Sequence, residues 1–268
     1  MSSITGSFYN IRLLDELAEK KTMIHGIHPL IKILTTFVYL VITVSFHRYE
    51  ISGLLPLVFY PVIVITLADI PVVPLLKRMM IAAPFIIVMG AFNPLFDTNP
   101  VLITSRLQIS GGWISFVSIL IKGILTILAA FLLISTTGMT RIASALRSLK
   151  IPRVFIMQLL LTYRYIAVLV EEVSRTVRAY SSRSPGEKGI KFAAWGSLTG
   201  QLLLRSMERA QRIYQSMCCR GFSGEYHVGE NKRISLGDMA YFLGWSLFFI
   251  IVRYVNITAM MGSLITGA

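Results

Sequence analysis

The amino-acid sequence predicts an all-α integral membrane protein with about five transmembrane helices and a cytoplasmic arm of amphipathic helices inserted before the last span. Three observations support this fold class. Of the 268 residues, 54% are apolar and 15% are charged, whereas soluble domains average about 45–50% and about 25%. The apolar residues are grouped in long blocks. A separate segment, residues 138–233, is amphipathic with helical spacing and strongly basic.

Five apolar blocks approach the roughly 20 residues that a helix needs to cross a bilayer. They are residues 29–47, 51–68, 79–96, 113–137 and 236–254. An amphipathic segment precedes the first block, and it lacks the apolar stretch of a cleaved signal peptide. The predicted domains are residues 1–137 (this segment and four spans), 138–233 (the arm) and 234–268 (the last span and tail).

The distribution of basic residues predicts the orientation, because cytoplasmic loops of membrane proteins carry an excess of Lys and Arg. Lys77 and Arg78 precede the third block, and residues 138–233 hold sixteen Lys or Arg against six Asp or Glu, a net charge of +10. The connection between the third and fourth blocks holds only Asp97 and Arg106. We therefore expect a multi-pass protein of the cell membrane with its N-terminus and residues 138–233 in the cytoplasm and its last residues outside.

Three helices are predicted in the arm. A short amphipathic helix over residues 137–149 is followed by Pro152, which stops it. A second helix, over residues 152–182, has apolar residues at steps of three and four, and its first part is apolar enough to lie partly in the membrane. A third runs from about residue 193 to 220, with Gly221 where a left-handed C-cap is expected.

Packing of the arm follows from its shape. It is too narrow to bury a core of its own, so the apolar stripes of its helices must pack on each other, on the membrane part or on a partner. On the polar side of the second helix, Glu171 and Arg175 have the i,i+4 spacing of a helical ion pair.

The residues that catalysis requires do not converge in this sequence. Walker A, G-x-S-x-G and H-E-x-x-H patterns are absent, so we expect no enzymatic activity and no cofactor or metal bound by this chain. His25 and His28 have no carboxylate cluster nearby and are expected to cap or pack at the membrane interface. The basic segment lacks the aromatic-interleaved strands of RNA readers, and we expect no nucleic-acid partner.

Two lysines occur inside predicted spans, where ionisable residues suggest function. Lys32 lies near the start of the first span and is expected to extend its ammonium group to the interface. Lys122 lies near the middle of the fourth block. Either it binds an acidic partner group, or the span begins later and leaves Lys122 near the surface.

Two arginines end the second and third arm helices in similar surroundings. The residues involved are Ser182, Arg183 and Ser184 in "SSRS", and Cys219, Arg220 and Gly221 in "CCRG". Small neighbours let a helix end approach another protein closely, and a guanidinium can bind a carboxylate through two hydrogen bonds. C-capping explains one such arginine, since a helix C-terminus favours a cation. Two copies, 37 residues apart, favour a pair of docking ends.

These motifs resemble the EcfT/CbiQ family, the transmembrane T components of energy-coupling factor transporters. The family carries Ala-Arg-Gly or Ala-Arg-Ser at the ends of two cytoplasmic coupling helices; here Ser182 and Cys219 replace the alanine. Two longer segments also resemble the family: "LLDELAEKKTMIHGIHPLIKIL" and "LISTTGMTRIASALRSLKIPRVFIMQLLLTYRYIAVLVEEV". The resemblance covers about residues 8 to 226.

The resemblance implies a function in coupling. The arginine-bearing ends would lie in grooves of two cytosolic ABC ATPase subunits, near acidic residues, and ATP-driven closure of the ATPases would move them. Arg183 and Arg220 would carry the coupling, while Ser182, Ser184, Cys219 and Gly221 would allow close approach. ATP and Mg²⁺ would be bound by the ATPases. The chain would relay the motion, within the bilayer, to a separate substrate-binding S component.

The start of the chain resembles the cobalt-type members of the family, so cobalt is the expected solute. Nickel or a vitamin remains the alternative. A self-sufficient transporter would normally show inverted repeats, and a membrane-embedded enzyme would need a convergent polar site. Neither feature is evident in the sequence.

Overall fold

The computed structural model describes residues 17–20, 22–96, 100–104, 107–184, 189–224 and 234–255. Several sequence-based expectations lie outside these residues: the amphipathic segment before residue 17, Asp97, Arg106, and the side of the membrane reached by the last residues. The chain forms two compact units. The base unit comprises Glu16–Gly138 and Lys232–Ala268, and the arm unit comprises Met1–Asp15 and Met139–Asn231.

Helices make up most of the described structure. In chain order they are α1 (Met23–Gly26), α2 (Pro29–Ser45), a 3-10 helix (Ser52–Val58), α3 (Phe59–Ala68), α4 (Val72–Ala91), α5 (Asn93–Phe96), α6 (Gly111–Thr137), α7 (Met139–Ser148), α8 (Arg153–Arg183), α9 (Phe192–Cys219) and α10 (Leu236–Tyr254). Two short antiparallel strands, β1 (Pro100–Thr104) and β2 (Leu107–Ser110), form a hairpin before α6, with Val101 opposite Ile109.

The prediction of an all-α membrane protein is confirmed, with this hairpin as a local exception. Among the described residues, four helices are long and apolar enough to cross a membrane: α4, α6, α8 and α10. The apolar helix α2 and the helical run Ser52–Ala68 are shorter. Helix α8, with 31 residues, is one of these four, in keeping with the apolar first half that the sequence indicated.

Prolines explain two departures from the predicted spans. The second block is divided, because Pro56 lies inside the 3-10 helix that precedes α3, and proline cannot donate the hydrogen bond of a regular α-helix. The third helix begins at Val72 instead of residue 79. Asp69, with a left-handed φ of 50°, ends α3, and Pro71 caps the new helix. Lys77 therefore lies within α4 and not in a loop.

An aromatic cluster joins the first and last apolar helices of the base unit. Tyr39 of α2 and Phe249 of α10 are both fully buried, with ring centroids 5.2 Å apart. Tyr60 of α3 lies 4.8 Å from Tyr39 and 5.3 Å from Phe249, in a tilted and an edge-to-face arrangement. Trp245 completes the cluster at 4.9 Å from Tyr60. Aromatic pairs of this kind contribute about 0.5–1.5 kcal/mol each beyond their buried area.

Truncating Phe249 to alanine is expected to lower the free energy of unfolding by on the order of 2 kcal/mol. In lipid the apolar transfer term is small, so the expected loss is that of the cavity and its packing contacts. Thermal unfolding in detergent measures the change. Leu247→Ala, on the exposed face of the same helix, should have little effect, and equal losses for the two variants would contradict this assignment of the core.

Candidate functional site

The C-terminus of α8 presents the first predicted docking arginine. The helix ends at Arg183, and the N–H group of Ser184 donates to the carbonyl of Tyr180 at 3.1 Å. The hydroxyls of Ser181 and Ser182 both turn back to the carbonyl of Arg178, at 2.9 and 3.0 Å. The serines therefore satisfy their polar groups within the helix and leave a small surface beside Arg183.

The C-terminus of α9 presents the second predicted docking arginine, Arg220, and ends in a Schellman motif. The N–H group of Phe222 donates to the carbonyl of Met217, and that of Gly221 to the carbonyl of Cys218, each at 3.0 Å. This pattern requires a left-handed residue after the cap, and Gly221 has φ +79°. The predicted left-handed C-cap is confirmed, and Arg220 is the capping residue.

The side chains at both ends face outward. Arg183, Arg220, Ser182 and Cys219 are exposed, and Ser184 is half-buried. Within the described part of the chain, neither guanidinium forms an ion pair with a carboxylate. Each helix end thus combines an accessible cation with small neighbours, which is the arrangement that docking onto an acidic groove requires.

The free thiols Cys218 and Cys219 next to Arg220 are both exposed. A side-chain hydrogen bond between Tyr214 and Cys218, one helical turn apart, raises the pKa of the Tyr214 phenol above its ordinary value. Both cysteines therefore lie on the surface of this helix end.

Helices α8 and α9 form an antiparallel pair. The end of α8 meets the start of α9, where the N–H group of Lys191 donates to the Tyr180 hydroxyl at 3.5 Å. Further along, Glu172 of α8 accepts from Arg205 at 2.9 Å and from Arg209 at 3.4 Å. Beyond this ion cluster, an apolar groove of about 260 Å³ lies between the first half of α8 and the second half of α9.

The pairing sets the distance between the two docking ends. Arg183 lies near the hairpin end of the pair, and Arg220 lies near the opposite end, beside the start of α8. At a rise of 1.5 Å per residue, the two arginines are separated by roughly 30–40 Å. One small binding site cannot engage both arginines.

The ion cluster at Glu172 was not predicted from the sequence, which indicated only the Glu171–Arg175 pair. That pair is present, with Arg175 Nη2 2.6 Å from Glu171 Oε1. The sequence does contain a signal for this ion cluster. Arg205 and Arg209 have i,i+4 spacing, a repulsive like-charge pair on one helix face, which favours an acidic residue from a neighbouring helix between them.

The base unit gives roles to the two histidines singled out in the sequence. His25 forms hydrogen bonds with the Thr22 hydroxyl at 2.7 Å and the Leu17 carbonyl at 3.0 Å. His28 caps α2, its Nδ1 accepting from the N–H group of Leu30 at 3.2 Å. His28 is thus a capping residue and His25 a buried, hydrogen-bonded one, while their position at a membrane interface stays a prediction.

The two lysines inside spans also bind backbone groups. Lys32 does not extend to an interface as expected; it is 4% exposed and donates to the carbonyl of Thr136 at 2.9 Å. Lys122 donates to the carbonyl of Phe46, just after α2, and Glu50 lies within electrostatic range. Helix α6 begins at Gly111, and Lys122 lies at the level of the end of α2, so a position near the membrane surface stays a prediction. An intramembrane functional role for it stays a prediction.

Comparison with known proteins identifies the family. The model of the family described as CbiQ, cobalt transport protein, matches residues 20–230 of this chain. The chain therefore belongs to the CbiQ family. The matched region contains both arginine-bearing helix ends. CbiQ-family proteins and EcfT are multi-pass membrane components of energy-coupling factor transporters, and this chain is of that class.

Three relatives illustrate the range of the CbiQ family. An uncharacterised protein of Methanocaldococcus jannaschii is 27% identical over 243 residues, which cover 84% of this chain and 81% of that protein. The energy-coupling factor transporter transmembrane protein EcfT of Leuconostoc gelidum subsp. gasicomitatum is 23% identical over 260 residues, 86% of this chain and 92% of EcfT. The nickel permease LarQ of Lactiplantibacillus plantarum is 30% identical over 103 residues, 38% of each chain.

Replacing Gly221 by alanine is expected to loosen the end of α9. A residue with a Cβ atom costs about 1–2 kcal/mol in the left-handed conformation, and the space around Gly221 is otherwise open. Amide hydrogen exchange at Arg220 and Phe222 should accelerate roughly 5- to 30-fold.

The matched control for this variant is Gly200→Ala, in the interior of the same helix and also in open space. Alanine is favoured over glycine in a helix interior by about 0.8–1.0 kcal/mol, so this control should slow exchange or leave it unchanged. Unaltered exchange in Gly221→Ala would show that the Schellman motif does not hold this helix end.

Proposed function

We propose that this chain is the coupling subunit of an energy-coupling factor importer, and that its α8 and α9 ends dock onto two cytosolic ABC ATPase subunits. The observation that supports this most directly is the pair of exposed arginines, Arg183 and Arg220, at the C-termini of two antiparallel helices. Each has small neighbours, and their separation of roughly 30–40 Å suits two ATPase subunits better than one.

The chemistry of docking follows from the helix ends. A carboxylate in each ATPase groove binds the guanidinium through two parallel hydrogen bonds, which fix its orientation as well as its position. The small residues beside it, Ser182 and Ser184 at one end and Cys219 and Gly221 at the other, let the groove walls contact the helix backbone. ATP and Mg²⁺ are bound by the ATPases, and this chain is proposed to be non-catalytic and to bind no cofactor.

Transmission starts in the helix pair. Glu172 binds Arg205 and Arg209 across the α8–α9 contact, so displacement of one helix end moves the other helix as well. We propose that this motion passes to a substrate-binding S component in the bilayer. The basic arm, at +10, supports a cytoplasmic position for residues 138–233 and for the N-terminus.

The proposed cargo is the cobalt ion. The description of the matched family supports it, as does the cobalt-type start of the chain. Nickel is the second candidate, supported by the similarity to the nickel permease LarQ over part of the chain. In either case the metal is bound by the S component.

Reversing both docking charges, Arg183→Glu with Arg220→Glu, is expected to abolish ATPase association. Breaking a buried charge pair at an interface costs about 2–5 kcal/mol, so the affinity should fall by at least about 100-fold. Co-purification of the ATPases with the chain in detergent measures this loss, and thermal unfolding checks that the membrane part stays folded.

A matched control is Arg147→Glu. Arg147 is also an exposed arginine in the last turn of an arm helix and precedes a serine, Ser148, but a leucine stands before it. This variant should retain the ATPases. The docking proposal is wrong if the double variant co-purifies with the ATPases as the unchanged chain does.

The cargo is tested by uptake into cells that express the whole transporter. Radioactive cobalt should accumulate in an ATP-dependent manner, and excess unlabelled cobalt should compete better than nickel. Stronger competition by nickel would assign the nickel function instead, and uptake without the ATPase subunits would support a self-sufficient transporter.

A further inference from the structure

The chain passes between the two units three times, at Asp15–Glu16, Gly138–Met139 and Asn231–Lys232. Two of these passages, here called the junctions, lie next to helices whose ends are described. Gly138–Met139 directly follows α6, which ends at Thr137, and Asn231–Lys232 lies shortly before α10, which begins at Leu236. Motion that passes from the arm unit along either junction enters the base unit at one of these helix ends.

The end of α6 is held by a buried lysine from α2. Lys32 is 4% exposed, and its Nζ donates to the carbonyl of Thr136 at 2.9 Å. The last carbonyls of a helix lack intrahelical donors and carry the negative end of the helix dipole, so an ammonium group is a favourable partner there. Gly138 follows with φ +75° and turns the chain out of the helix.

The start of α10 is also held by the start of α2. Asp238 is 5% exposed, and its Oδ2 accepts from the N–H group of Ser235, as part of a capping box, at 2.9 Å. Its Oδ1 accepts from the backbone N–H group of His28 at 3.0 Å. The carboxylate thus caps α10 and at the same time links it to the residue that caps α2.

We infer that the first turn of α2, His28–Lys32, is the fixed point through which displacement of the arm is passed to the membrane helices, with Lys32 and Asp238 as positioning residues. This inference rests on the proposed coupling function. Both bonds converge on one helical turn although their partners lie 104 and 210 residues away in the sequence. Displacement of either junction therefore acts on α2. It also acts on α10, through the aromatic contacts of α2 with Phe249.

Burial makes these bonds suitable for transmitting force. An ammonium or carboxylate group removed from water is stabilised only while its partners stay in place, so the helix ends cannot shift away from α2 without leaving a buried charge poorly solvated. The first turn of α2 and the two helix ends are consequently expected to move together.

The base unit also supplies a control with the same chemistry. Lys20 donates to the carbonyl of Asp69 at 2.6 Å, at the C-terminal end of α3. That helix end leads to α4 within the base unit and not to the arm. Lys20 and Lys32 therefore make the same kind of bond, but only the helix end that Lys32 binds leads directly to the arm unit.

The test compares Lys32→Met, Lys32→Arg, Asp238→Ala and Lys20→Met in the complete transporter reconstituted in liposomes. ATP hydrolysis, solute uptake and ATPase co-purification are measured together with thermal unfolding. Lys32→Met should assemble and hydrolyse ATP, while uptake per ATP should fall roughly fivefold or more, the range of a typical coupling energy. Lys32→Arg should restore most of the ratio, Asp238→Ala should lower it, and Lys20→Met should not change it.

The inference is overturned if Lys32→Met and Asp238→Ala keep the uptake per ATP of the unchanged chain. It is also overturned if Lys20→Met lowers the uptake per ATP as much as Lys32→Met, since the loss of any lysine that caps a helix end would then have the same effect. If Lys32→Met does not fold, Asp238→Ala decides the outcome at the other junction. Failure of the coupling function itself has a different signature, because the unchanged chain would then not retain the ATPases.

Discussion

Carbonyl groups at the C-terminal ends of helices need hydrogen-bond donors, and in the base unit basic side chains supply them. Lys20 binds the carbonyl of Asp69 after α3, and Lys32 binds that of Thr136 in α6. Lys122 and Arg253 bind the carbonyls of Phe46 and Ser45, where α2 ends. In an apolar surrounding an unsatisfied carbonyl costs several kcal/mol. Each of these bonds also joins segments that are distant in sequence, so the side chains that cap the helices also hold the base unit together.

This constraint explains which features could be predicted from the sequence. The arm helices, the ends at Arg183 and Arg220 and the left-handed Gly221 follow from local signals: apolar periodicity, small residues and the cap position. The roles of Lys32 and Lys122 do not, because their partners are backbone carbonyls, which every residue has and no sequence pattern marks. The same holds for Asp238, whose capping box is local but whose bond to His28 spans most of the chain.

The two units use charge in opposite ways. In the base unit, basic side chains bind backbone carbonyls at the ends of other helices, and Lys32 does so while buried. In the arm unit, Arg183 and Arg220 stand at the C-termini of their own helices and are exposed. The difference lies in their neighbours: the residues beside the outward arginines are small or exposed, whereas Thr136 beside Lys32 is buried. A helix end that is already satisfied by its own backbone, as α9 is by its Schellman motif, leaves its arginine available for another protein.

The position of the two cysteines has a practical consequence. The sequence contains no cysteine besides Cys218 and Cys219, and both are exposed free thiols one and two residues before Arg220. A thiol-reactive fluorophore or spin label would therefore attach to the unmodified chain at the α9 end alone. The environment of that end could be followed spectroscopically in the assembled transporter without introducing or removing a single residue.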